Sequence, residues 1–82
     1  MLKGILRGNI VSTRKQESLV GSTFMEVQLI KNGNLTDEFI IAIDSVGAGI
    51  GETVLITTGS SARLALHNVN SPADAVIVGI VD

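Results

Sequence analysis

Two segments of this 82-residue chain, Glu38–Val46 and Ala75–Val81, are apolar on both faces of an extended backbone, and no other feature narrows the fold as sharply. In the first, Phe39, Ile41 and Ile43 interleave with Ile40, Ala42 and Val46; in the second, apolar residues flank Gly79. Successive side chains of a strand point to opposite sides, so both sides of these strands demand cover. A chain of this length makes one domain, residues 1–82, with a single interior. The outer sides must therefore meet a helix, a long loop or another subunit, and little chain remains for the first two. Self-association is the economical solution.

The rest of the chain also favours strands. Val, Ile and Thr supply 25 of the 82 residues, and the only aromatics are Phe24 and Phe39. Residues 2–13 read as a curved strand with Leu2, Leu6 and Ile10 on an inner face, Gly4 and Gly8 between them, and Lys3, Arg7 and Asn9 pointing away. Arg14 to Ser18 is a polar loop, followed by Gly21. Phe24–Ile30 alternates Met25, Val27 and Leu29 with Glu26 and Gln28, a half-buried pattern, and Asn32-Gly33 signals a turn. Thr53–Thr58 is a fourth strand, Ser60–His67 has room for two helical turns, and Ala75–Val81 completes the set. Five short strands and one small helix predict an all-β fold, a five-stranded barrel of the oligonucleotide/oligosaccharide-binding type, closed or partly open.

Charge and composition exclude several functions. Six Lys and Arg stand against eight Asp and Glu, a net charge of −2, so no long-range field draws phosphate backbones or anionic membrane surfaces. Nucleic acid and membrane are not expected partners. Without cysteine there is no thiolate zinc site and no thiol nucleophile; His67 is the lone histidine, read as a surface residue, so neither metal nor cofactor is expected. Lys3 and Arg7 interrupt the start of the chain before a signal-like apolar core develops, and no run approaches the roughly 18 apolar residues of a membrane span. A soluble, cytosolic chain is the expectation.

Two short constellations invite a chemical reading. Gly47-Ala48-Gly49-Ile50-Gly51 resembles a phosphate loop, but such loops open a helix, whereas Glu52-Thr53-Val54-Leu55 is strand-like. These glycines are better explained by positive φ angles or close packing between chains. Gly59-Ser60-Ser61-Ala62-Arg63, with His67, Asp44 and Asp74, assembles the ingredients of a hydrolytic triad, yet neither serine stands in the Gly-x-Ser-x-Gly turn that would expose a nucleophile. Ser60 or Ser61 is expected instead to cap the helix, and Arg63 to pair with a carboxylate in its own chain or across an interface. The alternatives to a self-associating barrel are a module binding single-stranded nucleic acid or a small ligand, which lacks the stacking aromatics of such sites, and a hydrolase.

Three ordered blocks carry a resemblance over essentially the whole chain. Asp44-Ser45-Val46-Gly47-Ala48-Gly49-Ile50-Gly51-Glu52-Thr53-Val54-Leu55, Gly59-Ser60-Ser61-Ala62-Arg63, and Pro72-Ala73-Asp74-Ala75-Val76-Ile77-Val78-Gly79-Ile80-Val81-Asp82 resemble the vertex proteins of bacterial microcompartments, the EutN/CcmL family. Gly4, Gly8, Val11, Thr13, Lys15, Leu19 and Gly21 agree as well. Phe24-Met25-Glu26-Val27-Gln28-Leu29 departs from the leucine run ending in Gln-Pro that many members carry, and the loop after it is reduced to Lys31-Asn32-Gly33-Asn34. The resemblance implies a non-enzymatic barrel that assembles into a pentamer and caps the corners of a polyhedral shell in the bacterial cytoplasm, its faces tiled by hexameric shell proteins. It also implies that Asp44, Gly47, Ala48, Gly49, Gly51, Glu52, Gly59, Ser60, Ser61, Arg63 and Asp74 lie at or near contacts between subunits.

Overall fold

The computed structural model of the chain describes residues 1–11, 23–66 and 74–82. In order these form β1 (Leu2–Ile10), β2 (Phe24–Lys31), β3 (Asn34–Asp44), β4 (Thr53–Thr58), α1 (Ser60–Ala65) and β5 (Ala75–Val81). The strands close a barrel in the order β1-β2-β3-β5-β4. Neighbours run antiparallel except β3 and β5, which are parallel and meet at Ile43↔Val76 and Asp44↔Ile77. The loop expected at Arg14–Ser18 and the residue His67 lie outside the described residues.

The barrel is filled by one face of each strand. Leu6, Val27, Val54, Ile56 and Ile77 are wholly enclosed, packed with Met25, Leu29, Ala42 and Ala75. Each large aliphatic side chain removed from water in this way contributes about 1.5–3 kcal/mol. Gly4 belongs to this wall for a steric reason: a Cβ there would lie 2.5 Å from Val27 Cγ1 and 2.6 Å from the Gln28 carbonyl oxygen. β2 follows its alternation, with Met25, Val27 and Leu29 buried between less buried residues.

Gly8 and Ile10 do not share the inner face of Leu6, contrary to the period-2 expectation. The β1–β2 register shifts between Leu6 and Gly8, leaving Arg7 as an extra residue, after which Gly8 pairs with Glu26 and Ile10 with Phe24. Directly paired residues share a side of the sheet, so the bulge turns Gly8 and Ile10 to the outside. β3 also differs from its expected bounds. It starts at Asn34, since Asn32 (φ 53°) and Gly33 (φ 77°) form a two-residue hairpin turn with both angles positive. Cross-strand contacts hold the polar start of β3: Thr36 Oγ1 donates to the Leu29 carbonyl, Gln28 donates to the Thr36 carbonyl, and Lys31 forms an ion pair with Glu38. It stops at Asp44, whose carboxylate draws the following backbone into a turn.

A second, smaller core lies outside the barrel. Ile43 and Val76 point away from the interior and are buried beneath Ala62 of α1, with Phe24, Ala65, Leu66 and Val78 around them. The short helix thus covers part of the outer apolar surface that sequence reasoning assigned mainly to another subunit. Val78 is the extra residue of a shift in the β4–β5 register between Leu55 and Ile56. The helix does not reach Phe39 and Ile41, which remain 49% and 57% exposed.

Candidate functional site

The glycine-rich segment after β3 is organised by two carboxylates. Asp44 accepts hydrogen bonds from the backbone N–H groups of Val46 (3.0 Å), Gly47 (3.1 Å) and Ala48 (3.0 Å). Glu52 accepts one from the N–H of Gly49 and returns its own N–H to the Gly49 carbonyl at 3.1 Å. Gly51 N–H donates to the Leu6 carbonyl (2.8 Å) and Leu6 N–H to the Glu52 carbonyl (3.0 Å), which fastens the loop to β1. Ser45 Oγ donates to the Ile77 carbonyl at 2.6 Å, fastening it to β5. Ala48 is buried in the barrel core, while Ile50 stands 65% exposed at the tip.

The glycines of this loop are not equivalent. Gly47 (φ 78°) and Gly51 (φ 92°) occupy the left-handed region that side chains disfavour. Gly49 does not, which corrects the expectation of a special backbone angle there; its lack of a side chain instead leaves room for Glu52, whose Oε1 would lie 3.1 Å from a Cβ. The loop is not a phosphate cradle. Four of its backbone donors are occupied by its own carboxylates and that of Gly51 by the Leu6 carbonyl, and a strand follows it.

The Gly59–Arg63 segment is built differently. Gly59 (φ 65°) is the N-cap of α1, and no side chain caps the helix, so neither Ser60 nor Ser61 plays the expected role. The chain needs the positive φ to turn sharply from β4 into the helix, and a glycine supplies it where a serine would be strained. Gly59 N–H donates to the Asp74 carbonyl at 2.8 Å, joining the helix start to the approach of β5. Arg63, partly buried, donates to Ser60 Oγ at 3.3 Å and has no carboxylate partner among the described residues. Leu64 beside it is 62% exposed.

Sequence-selected residues therefore fall into two groups. Asp44, Gly47, Ala48, Gly49, Gly51 and Glu52 share the loop that leads into β4, whereas Gly59, Ser60, Ser61, Arg63 and Asp74 gather where the chain leaves it. The six residues of β4 separate the two attachments by roughly 17 Å. Asp44 is not free to serve a triad with Ser60 or Ser61, since its carboxylate is engaged by three amides of its own loop. Among the described residues no three His, Asp or Glu side chains are placed to hold a metal ion.

An open groove of about 520 Å³ was not foreseen. It lies beside the second group, where β3 runs on past the start of β5, and is lined by Leu2, Phe39, Ile41 and Ala75 together with the carboxylate residues Glu26 and Asp74. Sequence reasoning passed over Glu26 and Leu64. The available signals were a charge on the outer side of a strand facing the apolar Ile41, and a leucine off the buried Ala62 side of a short helix.

Comparison with known proteins places this architecture. A solved structure of CcmL from Gloeobacter violaceus superimposes with a TM-score of 0.94 at 42% identity, covering 100% of this chain and 86% of that one. The shell vertex protein EutN of Salmonella typhimurium is 41% identical over 83 residues, covering 100% of this chain and 84% of that protein. A protein described as the GrpN pentameric microcompartment shell protein from Rhodospirillum rubrum superimposes with a TM-score of 0.89 at 40% identity, covering 100% and 94% of the two chains. The family model described as ethanolamine utilisation protein EutN/carboxysome matches residues 1–82, and with these likenesses it shows that the chain belongs to the EutN/CcmL family.

Proposed function

We propose that the chain is a structural shell protein that assembles into a pentamer and closes the vertices of a bacterial microcompartment. The observation that carries this reading is the outer apolar surface left by the fold, Phe39 and Ile41 on β3 and Leu64 on α1, on a chain that matches a pentameric shell protein at a TM-score of 0.89. Large apolar side chains left exposed on a small barrel mark surfaces suited to association. A ring suits them, because head-to-tail contacts between unlike patches close when the rotation between copies allows.

In this role the protein works by shape and carries out no chemical step. The loop from Asp44 to Glu52 supplies a stiff, pre-formed edge, and Gly59, Ser60, Ser61, Arg63 and Asp74 supply polar groups that neighbouring copies cover. A vertex cap also meets the shell's flat faces, so hexameric shell proteins are its expected outer partners. Native mass spectrometry and sedimentation velocity of the purified chain test the assignment: the main species is expected to contain five copies of the 8.6 kDa chain. A monomer at the highest attainable concentration would defeat it.

A further inference from the structure

We infer that the acidic-walled groove receives the Arg63–Leu64 edge of helix α1 from a neighbouring copy, the guanidinium settling between Glu26 and Asp74 while Leu64 packs against Phe39 and Ile41. This rests on the ring-forming reading and names the contact that builds the ring.

Charge complementarity carries the inference. Of the described carboxylates, Asp44 and Glu52 are occupied by backbone amides and Glu38 by Lys31, while Asp37 and Asp82, also without such a partner, do not line the groove. Glu26 and Asp74 have no side-chain hydrogen bond or ion pair among the described residues, and both line a groove whose remaining walls are largely apolar. Arg63 is in the converse position: a half-buried residue whose guanidinium, with five N–H donors, makes one exposed 3.3 Å contact to Ser60 and meets no described carboxylate. Its neighbour Leu64 is the exposed apolar residue of the helix, 62% open. One patch is thus a cation beside a leucine, and the other is two carboxylates beside a phenylalanine and an isoleucine.

Unlike patches that complement one another are what a head-to-tail ring requires, since each copy offers one and receives the other. Ion pairs between exposed side chains contribute little, but a pair enclosed with apolar neighbours is less screened and strongly selects its partner. The Gly59–Asp74 hydrogen bond ties the helix start to the groove wall, so both patches are fixed to the same end of the barrel.

Charge exchange tests the pairing. Arg63→Glu alone and Asp74→Arg alone are each expected to raise the concentration at which the ring dissociates by about tenfold or more, and the double variant to recover much of the loss. Unchanged rings in both single variants, or a double variant no better than either, overturns the contact. A second measurement does not depend on charge-reversed chains folding. The protein has no cysteine, so Leu64→Cys and Phe39→Cys can be made in separate chains, mixed and oxidised. Disulfide-linked dimers are expected from the mixture and not from either variant alone; their absence under oxidation that leaves the wild-type ring intact refutes the placement. If the wild-type chain is itself monomeric, the broader shell reading fails first; if it is a ring indifferent to these changes, only this contact fails.

Discussion

The Asp44–Glu52 loop and the Gly59–Leu66 helix segment contain similar residues, glycines beside small polar and charged side chains, yet they use them in opposite ways. In the loop the carboxylates are turned inward: Asp44 and Glu52 between them accept four backbone N–H groups. In the helix segment the hydroxyls cap nothing and, among the described residues, Arg63 has only a serine for company. The first region thus satisfies its polar groups within one chain, whereas the second leaves most of its side-chain polar groups open to water or to a neighbouring molecule. Motif glycines and serines thus say little until it is known whether their polar neighbours are already engaged.

Removing the loop's organiser should break this contrast most strongly. Asp44→Ala strands three backbone donors and is expected to lower unfolding stability by about 2–4 kcal/mol, read by urea denaturation; Asp44→Asn, which keeps one carbonyl oxygen, should cost roughly half as much. An Asp44→Ala chain as stable as the wild type would mean that water serves those amides equally well. Next in size is Gly51→Ala. A Cβ at φ 92° costs about 1–2 kcal/mol although nothing nearby obstructs it, and the thermal midpoint should fall accordingly. The smallest effect sharpens the comparison from the other side. Ser60→Ala should change stability by less than about 0.5 kcal/mol, since a serine that acts as a cap would typically contribute about 1 kcal/mol. A loss of that larger size would place Ser60 in the folding of the single chain.

Much of the barrel was legible in the sequence because its information is local. β2 alternates cleanly, the Asn32-Gly33 turn has the residues its angles require, and β4 and β5 begin and end where they were expected. The missed features depend on distant partners. Nothing in Leu6-Arg7-Gly8 announces a bulge, because the extra residue is defined only against Val27 and Glu26 of the opposite strand. Leu35-Thr36-Asp37-Glu38 is too polar to read as strand and is held by bonds to β2. The role of Asp44 did have a signal: an aspartate at a strand end, followed by serine and glycines, is the composition of a side-chain-to-backbone turn. The groove as a whole had none, since its walls come from all five strands and the approach to β5.

The parallel meeting of β3 and β5 spans only two residue pairs, Ile43↔Val76 and Asp44↔Ile77, whereas β2 and β3 are matched along most of their length. That short seam is the narrowest closure in the wall, and α1, which lies mainly against β5 and β4, covers it on the outside through Ala62, packed with Ile43 and Val76. Pressure on the helix from a neighbouring molecule would therefore also hold the seam shut. Joining a ring and staying a closed tube would then be coupled, so a protomer separated from its fellows is expected to exchange amide hydrogens first along that line.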